Sequence, residues 1–392
     1  QIPSISEIAA GKATVNSLKP ILIEDLLGRD TVMPNNDILG KEVNNNTICV
    51  TGAGGSIGSE LCRQIYNHKP KKLILFEMSE PSLYKISKEL TSINNNSIEL
   101  KTILGNCLDS KLIEKIFIEE KVDLIFHAAA YKHVPLVEIN PIEGIFNNIF
   151  STKTVCQLAE KLSIKEVILL SSDKAVRPTS VMGVTKRISE LIFQAFAEKV
   201  KNSQNSSIKY SMVRFGNVLD SSGSVVPLFR EQIAKGGPVS ITHKDVTRYF
   251  MTIKEASQLV LQSAVLSEGG DVFLLDMGEP IKILNLAEQM ITLSGQTIKK
   301  NNISIGDIEI TFTGLRPGEK LYEELLIDAK SKPTMHPLIF RAMENSIPFD
   351  KLMPKLIKLE EVLLAGNLKK VFLILKELVP EWKNDVSIDY KN

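Results

Sequence analysis

The amino-acid sequence predicts an α/β protein with a doubly wound parallel sheet and a smaller C-terminal unit. Short β-rich runs alternate with helical segments over the first half of the chain, and one of them, Ile48-Cys49-Val50, opens directly into a glycine-rich turn. After Phe215 the pattern changes to loops and short elements. Because repeated strand and helix units place helices on both faces of a parallel sheet, the first half is expected to form that sheet.

The turn after the first strand has the spacing of a dinucleotide-binding loop. Gly52, Gly55 and Gly58 form a G-x-x-G-x-x-G series, which lets the turn tighten, the backbone approach a pyrophosphate and the helix pack close to the strand. The N–H groups at the helix start, where Ser56 and Ile57 lie, then face the phosphates. A merely structural turn is the alternative, and the flanking strand and helix favour cofactor binding.

The second predicted strand ends in a carboxylate, Glu77. It follows the last glycine by about 20 residues, where an acid accepts hydrogen bonds from the adenosine ribose. It would repel a 2′-phosphate, which favours NAD over NADP; the alternative is a solvated acid at a strand end. Asn106 and Leu108, after the third strand, are expected beside the adenine, and the small Ala128 and Ala129, after the fourth, leave room for the cofactor backbone.

The same alternation predicts the boundaries of elements and domains. The predicted segments are Lys72–Glu77, Ile98–Leu104, Asp109–Glu120, Leu124–Ala129, Pro141–Leu162, Val167–Ser172, Ser180–Lys201, Ile208–Phe215, Lys254–Ser267 and Asp271–Asp276. We predict four regions from composition and pattern: an N-terminal extension or linker, 1–45; a cofactor-binding domain, 46–216 plus about 251–276; a smaller ligand-binding domain, about 217–250 and 277–345; and a C-terminal helical tail, 346–392.

Composition argues against several classes of function. With 47 Lys and Arg against 46 Asp and Glu, the net charge is +1, so no binding to nucleic acid is expected. The four cysteines are far apart, have no metal-ligand spacing and are expected to be reduced, as in the cytosol. No apolar run reaches the roughly 18 residues that span a bilayer, and the N-terminus of this sequence lacks the basic-then-apolar pattern typical of a signal peptide. The start at Gln1 rather than Met is consistent with an excised part of a longer protein.

A reactive cluster follows the fifth predicted strand. An apolar run leads into Ser172, Asp173 and Lys174, at the strand end where ligands bind in an open α/β sheet. Met182 and Lys186 stand four residues apart on the following helix, so they share one helix face and are expected to complete the same site. For an isolated Ser-Asp-Lys triplet, a structural salt bridge is the alternative.

Six motifs, in order along the chain, give it a family resemblance. They are TGAGGSIGSE (51–60), HAAAYKHVPLVE (127–138), SSDKAVRPTSVMGVTKR (171–187), RFGNVLDSSGSVVPLF (214–229), TRYFMTIKEA (247–256) and LRPGEKLYEEL (315–325). The chain resembles the extended short-chain dehydrogenase/reductase superfamily, and within it the bacterial UDP-N-acetylglucosamine 4,6-dehydratases of the PglF, WbpM and CapD type. The resemblance implies a Rossmann-type sheet that binds NAD and a smaller C-terminal domain that binds the UDP-sugar.

The resemblance also implies a reaction. Such enzymes oxidise C4 of the hexose by hydride transfer to NAD, eliminate water across C5 and C6, and return the hydride to C6, so NAD is a catalyst and is not consumed. UDP-N-acetylglucosamine is the implied substrate, and bacterial glycan or polysaccharide biosynthesis is the implied context. In such proteins the catalytic domain commonly follows a membrane-embedded region. The resemblance therefore implies a cytoplasmic catalytic domain, with membrane contact only if such an N-terminal region precedes it.

Catalytic roles are implied residue by residue. Lys186 is expected to hold the nicotinamide ribose and Ser172 to hydrogen-bond near the C4 hydroxyl, while Asp173 protonates the departing C6 hydroxyl and Lys174 removes the C5 proton. Met182 stands where the superfamily usually has a catalytic tyrosine; a thioether has no titratable proton, so it shapes the pocket but cannot be the base. A dry site would raise the pKa of Asp173 and lower that of Lys174, whereas a direct ion pair would do the opposite.

The nucleotide half of the substrate is assigned in the same way. Arg316 is expected to bind the diphosphate, because its planar fork matches phosphate oxygens. Glu319 is expected at the uridine ribose and Asn217 at the phosphates. Arg248 and His133 are further candidates for substrate binding, with a structural role as the alternative for each.

Two positions bear on the finer assignment. Asp220 stands where the family most often has glycine, which puts the contacts of the RFGNV loop in question. The Met182 type resembles the enzymes that retain the C5 configuration, whereas tyrosine-bearing relatives include inverting ones. We therefore predict a retaining dehydratase.

Two other functions are compatible with the fold. A nucleotide-sugar 4-epimerase shares cofactor and ligand class but needs no C6 elimination, so the Asp173 and Lys174 pair favours the dehydratase. A non-enzymatic NAD-binding interaction protein would have little use for the reactive cluster. A homo-oligomer is expected in either case, with the Ile188–Phe196 face of the site helix as its interface.

Overall fold

The computed structural model describes residues 40, 42–93, 98–203, 207–299, 306–325 and 331–383. Most of the predicted extension, 1–45, and the end of the predicted tail, 384–392, lie outside these residues. The strands, in chain order, are β1 (Thr47–Thr51), β2 (Lys72–Glu77), β3 (Glu99–Leu104), β4 (Leu124–His127), β5 (Glu166–Leu170), β6 (Lys209–Arg214), β7 (Asn217–Val218), β8 (Val239–Ile241), β9 (Thr247–Arg248), β10 (Phe250–Met251), β11 (Val272–Leu275), β12 (Ile281–Lys282), β13 (Ile310–Phe312), β14 (Ser331–Pro333) and β15 (Ile339–Ala342).

The helices alternate with these strands. In chain order they are α1 (Ser56–Asn67), α2 (Glu80–Ile93), α3 (Ser110–Glu120), α4 (Val134–Ile139), α5 (Pro141–Ile145), α6 (Ser151–Lys161), α7 (Val181–Lys201), α8 (Val225–Ala234), α9 (Ile253–Val265), α10 (Ile283–Leu293), α11 (Phe349–Leu364) and α12 (Leu368–Leu378), with a π-helical turn, Phe146–Phe150, between α5 and α6.

Nine of the described strands form one sheet, in the order β14-β15-β11-β6-β5-β4-β1-β2-β3. The pairs from β3 to β11 are parallel, and β15 is antiparallel to both β11 and β14. This order confirms the predicted doubly wound parallel sheet. The chain runs outward from β1 through β2 and β3 and then returns to β4 on the other side of β1. The carboxyl ends of β1 and β4 therefore form the switch point at which ligands bind in such sheets.

Alternate residues of the central strands pack on opposite faces of the sheet. In β1, Ile48 and Val50 belong to a hydrophobic cluster with α1, α2 and α9, whereas Cys49 belongs to a second cluster with α3, α6 and α7. Side chains alternate in this way along any strand, so a strand covered on both faces is apolar throughout. A third cluster joins α8, β8 and α10 and is the core of the smaller unit.

The domain boundaries stay a prediction, but two strands expected in the smaller unit belong to the large sheet. β14 and β15 fall within 277–345, which the sequence interpretation placed in the smaller unit. In the structure they pair at the edge of the large sheet, beside β11. Sequence pattern could not show this because the partner strand, β11, is distant in the chain.

The helix predicted over Pro141–Leu162 is interrupted by the π-helical turn. Within this turn, the side-chain amide of Asn148 donates to the Tyr131 carbonyl oxygen at 3.0 Å and to Thr185 Oγ1 at 2.9 Å. Its oxygen accepts from the Tyr131 N–H at 2.8 Å. Asn148 therefore ties the loop after β4 to α7, the helix that follows the reactive cluster. π-Helical turns often occur near functional sites.

The predicted C-terminal tail forms two helices, of which α11 packs against α7 and α12 packs against α11. The buried face of α11 includes Leu352 and Leu356, and the Phe349 ring centroid lies 5.1 Å from that of Phe196 on α7. This corrects the expected oligomer interface: the Ile188–Phe196 face of α7 is buried within the chain itself. The amphipathic pattern of the tail indicated a packed face but not its partner.

Candidate active site

A cavity of about 1120 Å³ lies at the carboxyl ends of the central strands. Most of the residues that the sequence singled out line it, namely Gly52, Gly55, Ser56, Ile57, Gly58, Ala128, His133, Ser172, Lys174, Met182, Lys186, Asn217, Arg248, Arg316 and Glu319. The remaining predicted residues, Glu77, Asn106, Leu108, Ala129 and Asp173, are not part of the lining.

The glycine turn between β1 and α1 has no room for a side chain at Gly52 or Gly58. A Cβ at Gly52, whose φ is +69°, would lie 2.7 Å from the Ala129 backbone nitrogen, and a Cβ at Gly58 would lie 2.0 Å from the Gly52 carbonyl oxygen. The N-cap of α1 is Gly55, which has no side chain to occupy the first N–H groups of the helix. A helix N-terminus that the backbone can approach closely suits a phosphate-bearing ligand.

Glu77 is buried and connects β2 to the glycine turn. Its Oε2 accepts a hydrogen bond from the Gly54 N–H at 3.0 Å, and its Oε1 accepts from the N–H groups of Met78 and Ser79, both at 2.9 Å. Each carboxylate oxygen has two acceptor positions, so a ribose contact stays a prediction. The sequence did not indicate the additional role of Glu77 in fixing the turn.

Asn106 shapes the turn after β3. Its Oδ1 accepts from the Leu108 N–H at 2.9 Å, which closes a local turn. The expected contacts of Asn106 and Leu108 with an adenine stay predictions. After β4, Ala128 lines the cavity, and the backbone of Ala129 packs against Gly52.

A 3₁₀ turn, Asp173–Ala175, orients the reactive cluster after β5. Ser172 caps this turn: its Oγ accepts from the Lys174 N–H at 3.3 Å and donates to Asp173 Oδ1 at 2.9 Å. The Lys174 ammonium lies 2.9 Å from the same Asp173 oxygen and 3.0 Å from Asn217 Oδ1. Asp173 is fully buried, and its Oδ2 has no hydrogen-bond partner among the described residues.

Ion pairing prevails over burial in setting the charge of Lys174. Burial lowers the pKa of Lys174, but the nearby carboxylates of Asp173 and Glu323 raise it, and the net shift is upward. Glu323 Oε1 lies 3.6 Å from the Lys174 nitrogen. Lys174 is therefore an ammonium ion at neutral pH. The sequence had left open which of the two effects would dominate.

α7 delivers Met182 and Lys186 to the same cavity. The helix begins after Ser180, whose side chain accepts from the Gly183 N–H at 3.1 Å. Lys186 Nζ donates to the Leu170 carbonyl oxygen at 2.6 Å, at the end of β5. Burial lowers the pKa of Lys186 to about 8, which Glu190 opposes.

Arg248 mainly fixes the loop of residues 315–325. Its guanidinium donates to three backbone carbonyls, including that of Lys320 at 2.8 Å, and its Nη2 lies 3.3 Å from Glu319 Oε1. The same Glu319 oxygen accepts from Thr242 Oγ1 at 2.9 Å. Arg248 thus has the structural role that the sequence left open, and the expected ribose contact of Glu319 stays a prediction.

The other expected substrate residues lie around this loop. Arg316 is exposed at the cavity wall, where its backbone N–H donates to Glu319 Oε2 at 3.1 Å. Asn217, expected at the phosphates, has its amide oxygen on the Lys174 ammonium. His133 packs against the loop that follows β7, since a Cβ at Gly223 would lie 2.4 Å from the His133 ring.

Asp220 adopts a conformation that glycine usually occupies. Its φ is +58°, in the left-handed region that Asp tolerates better than most residues. Its carboxylate lies 3.2 Å from Arg230 Nη1. The departure from glycine is therefore compatible with the loop.

Four charged residues of the cavity wall were missed by the sequence interpretation. They are Lys132, Glu143, Lys320 and Glu323. All except Glu143 lie inside motifs that carried the family resemblance, which was the available signal. Burial lowers the pKa of both lysines. Together with Lys174 and Arg316 they make the cavity positive, which suits an anionic ligand although the net charge of the whole chain is only +1.

Two kinds of feature are absent from the part of the chain that the structure describes. No group of three or more His, Cys, Asp or Glu residues there is arranged to hold a metal ion. No helix there is long and apolar enough to cross a membrane.

Comparison with known proteins gives a family match over most of the chain. A family described as polysaccharide biosynthesis protein matches residues 48–344. The capsular polysaccharide biosynthesis protein CapD of Staphylococcus aureus is 48% identical over 337 residues, which are 86% of this chain and 54% of that protein. The chain thus spans about half the length of this relative.

For two further relatives, the match with this chain covers most of the relative's length. A protein of Campylobacter jejuni named UDP-N-acetylglucosamine 4,6-dehydratase (inverting) is 32% identical over 307 residues, which are 78% of this chain and 84% of that protein. The X-ray structure of Pen from Bacillus thuringiensis has a TM-score of 0.68 and 29% identity, covering 76% of this chain and 86% of that one. These similarities confirm the family resemblance that the six motifs predicted.

Proposed function

The chain belongs to the polysaccharide biosynthesis protein family, and from this premise we propose that it is an NAD-dependent UDP-N-acetylglucosamine 4,6-dehydratase. The observation that carries the proposal is that Lys174, which is ion-paired with the buried Asp173, lines the same cavity as Met182 and Lys186. An acid and a base beside each other serve an elimination, and a methionine in place of the tyrosine leaves the proton chemistry to them.

NAD fits the residues around the glycine turn. Gly52 and Gly58 leave no space for a Cβ, and Gly55 leaves the N-terminus of α1 uncapped by a side chain. NAD bound there would supply a hydride acceptor for C4 and, once reduced, a hydride donor for C6, so the net redox change would be zero. Lys186, held by the Leu170 carbonyl at the end of β5, is the candidate partner for the nicotinamide ribose.

Ser172 and Asp173 offer a route for the C4 hydroxyl proton. Met182 has no group that can accept it. The Ser172 hydroxyl donates to Asp173 Oδ1 at 2.9 Å, so a sugar hydroxyl that donates to Ser172 is connected to the carboxylate. Asp173 then holds the proton that departs from O4 and gives it to the C6 hydroxyl, which leaves as water.

Protonation of Asp173 also prepares Lys174 to act as the base. The Asp173 carboxylate raises the pKa of Lys174, and burial opposes it, so neutralising Asp173 favours loss of the ammonium proton to water in the cavity. Neutral Lys174 takes the C5 proton, which is acidic beside a C4 ketone, and gives a proton back to C5 once the hydride is on C6. Neutral Lys174 then takes back from water the proton that it lost before the elimination, so Asp173 and Lys174 end the cycle in their starting charge states.

The positive wall of the cavity suits a nucleoside diphosphate. Arg316, Lys132 and Lys320 contribute cationic side chains to the lining. A guanidinium binds phosphate oxygens through two parallel hydrogen bonds, so Arg316 is the candidate for the diphosphate. Retention of configuration at C5 is proposed from Met182, although the Campylobacter relative is named an inverting enzyme.

The mass of the product tests the proposal. Incubation of the purified chain with NAD and UDP-N-acetylglucosamine is expected to yield a UDP-sugar lighter by one water. A 4-epimerase, the rival on the same fold, would give a product of unchanged mass, and a non-enzymatic NAD-binding protein would give no product.

A further inference from the structure

Glu323 is a buried carboxylate in the cavity wall to which the proposed mechanism assigns no role. Its side chain is only 3% exposed. Its Oε2 has no hydrogen-bond partner among the described residues. Burying an ionised carboxylate is unfavourable unless it is paired, so the charges around it have to account for its presence.

Three cations surround Glu323 at ion-pair distance. Its Oε1 lies 3.6 Å from Lys174 Nζ and 3.8 Å from Arg248 Nε, and its Oε2 lies 3.9 Å from Lys320 Nζ. These distances exceed those of ordinary hydrogen bonds, so the contacts are electrostatic. In a dry site such contacts are stronger than on the surface.

Neighbouring contacts hold Glu323 close to the reactive cluster. Lys320 Nζ donates to the Val176 carbonyl oxygen at 2.6 Å, and Thr179 Oγ1 donates to the Gly318 carbonyl oxygen at 2.8 Å. These bonds join the loop of residues 315–325 to the segment directly after Lys174. The contact between Glu323 and Lys174 is thus part of a fixed arrangement of two loops.

We propose that Glu323 is a positioning residue for Lys174: with Asp173 it holds the Lys174 ammonium at the cavity wall and sets the pH at which Lys174 becomes a base. This inference rests on the proposed function, in which Lys174 removes the C5 proton. Glu323 differs from Asp173 in that it lies outside the Ser172 hydrogen bond, so it is not on the route proposed for the O4 proton.

The charged groups around Lys174 give the direction of the effect. Asp173 and Glu323 favour the ammonium form, whereas Arg248, Lys320 and Lys132 oppose it, as does burial. Removing the charge of Glu323 should lower the pKa of Lys174. Removing the charge of Lys320 should raise it, because a repulsion is lost and Glu323 is less neutralised.

The experiment measures the titration of Lys174 directly. The full chain is labelled with a trace of acetic anhydride at a series of pH values, and mass spectrometry of the Lys174 peptide gives its labelling rate, which follows the neutral amine fraction. The variants are Glu323→Gln, Glu323→Asp and Lys320→Met. Glu324→Gln is the matched control, since Glu324 is adjacent but exposed and pairs with Arg177 at 2.9 Å.

We expect Glu323→Gln to lower the labelling midpoint by about one pH unit, which near pH 9 raises the labelling rate about tenfold. Glu323→Asp should restore part of the shift, Lys320→Met should move the midpoint upward, and Glu324→Gln should leave it unchanged. An unchanged midpoint in Glu323→Gln would overturn the proposal. If Glu323→Gln does not fold, Lys320→Met is the deciding variant. A labelling midpoint that does not move upward in Lys320→Met would then overturn the proposal.

The readout separates this inference from the proposed function, because labelling needs no turnover. A wild-type chain that forms no dehydrated sugar would remove the dehydratase proposal, and with it the catalytic meaning of the titration. If the chain forms the product but the labelling midpoint of Lys174 is the same in wild type and Glu323→Gln, only the inference about Glu323 is wrong.

Discussion

The Lys174 ammonium lies 2.9 Å from Oδ1 of Asp173, a carboxylate that is fully buried. This pair starts in charge states opposite to those that an elimination needs, since the acid must carry a proton and the base must lack one. In the proposed mechanism, the hydrogen bond from Ser172 to Asp173 resolves the conflict, because oxidation of C4 would supply the missing proton to Asp173. Oxidation and elimination are then linked through one carboxylate.

The first prediction concerns Lys174. Lys174→Ala should abolish formation of the 4-keto sugar, with a loss of at least about 10³-fold, the scale of general acid and base catalysis. NAD should remain bound, because the glycine turn is unchanged. The measurement is product formation by mass spectrometry beside NAD titration by calorimetry. Lys235→Ala, at an exposed helix end, is the control, and full turnover by Lys174→Ala would remove this residue from the mechanism.

The second prediction concerns the glycine turn. Gly58→Ala should abolish NAD binding, because the new Cβ would lie 2.0 Å from the Gly52 carbonyl oxygen and α1 would have to move. The Kd for NAD, measured by calorimetry, should rise at least tenfold. Gly366→Ala introduces a residue at a positive φ far from the cavity and should lower stability without changing the Kd. Equal Kd values for wild type and Gly58→Ala would argue against this turn as the NAD site.

The third prediction concerns stability and pH. Lys186 has a pKa of about 8 in the folded protein and its ordinary value of 10.5 in the unfolded chain, so the unfolded chain binds more protons between these values. The free energy of unfolding should therefore gain roughly 3 kcal/mol from Lys186 as the pH rises through this window.

Lys186→Met should lack that gain. Urea unfolding of the NAD-free chain at several pH values measures it, with Lys235→Met as the exposed control. A pH dependence that is the same in wild type and Lys186→Met would contradict the assignment.

The fourth prediction concerns the buried ion pair behind the site. Arg214 Nη2 lies 2.6 Å from Glu190 Oε2, and both side chains are fully buried. Arg214→Met leaves Glu190 without its main partner and should cost about 3–5 kcal/mol of unfolding free energy. Arg230→Met removes the exposed pair with Asp220 and should cost no more than about 1 kcal/mol. Urea unfolding measures the loss of unfolding free energy in each variant. Equal losses in Arg214→Met and Arg230→Met would contradict the expectation that breaking a buried ion pair costs more than breaking an exposed one.

Much of the fold follows from local sequence signals. The strand predicted over Ile98–Leu104 is observed over Glu99–Leu104, and the helix predicted over Ser180–Lys201 is observed over Val181–Lys201 with Ser180 as its cap. Apolar periodicity and capping residues are visible in a short window of sequence. They fix where an element begins and ends to within a few residues.

Contacts between segments that are far apart in the chain could not be predicted from such short stretches of sequence. Nothing near Lys174 in the sequence indicates its contact with Glu323. The amphipathic pattern of the tail likewise does not indicate that it packs against α7. The π-helical turn within the predicted Pro141–Leu162 helix depends on Asn148 reaching Tyr131 and is also a tertiary effect. The motifs therefore located the site, and the folded chain was needed to find the charges that act on it.

The most direct measurement is the reaction of UDP-N-acetylglucosamine with the NAD-loaded chain in deuterated water, followed by mass spectrometry and NMR of the product. A retaining 4,6-dehydratase should give a 4-keto-6-deoxy sugar that has lost one water, carries deuterium at C5 and keeps the C5 configuration of the substrate. A product of unchanged elemental composition, with an inverted C4 hydroxyl and no deuterium at C5, would contradict the assignment of Asp173 and Lys174 as the acid and base of an elimination.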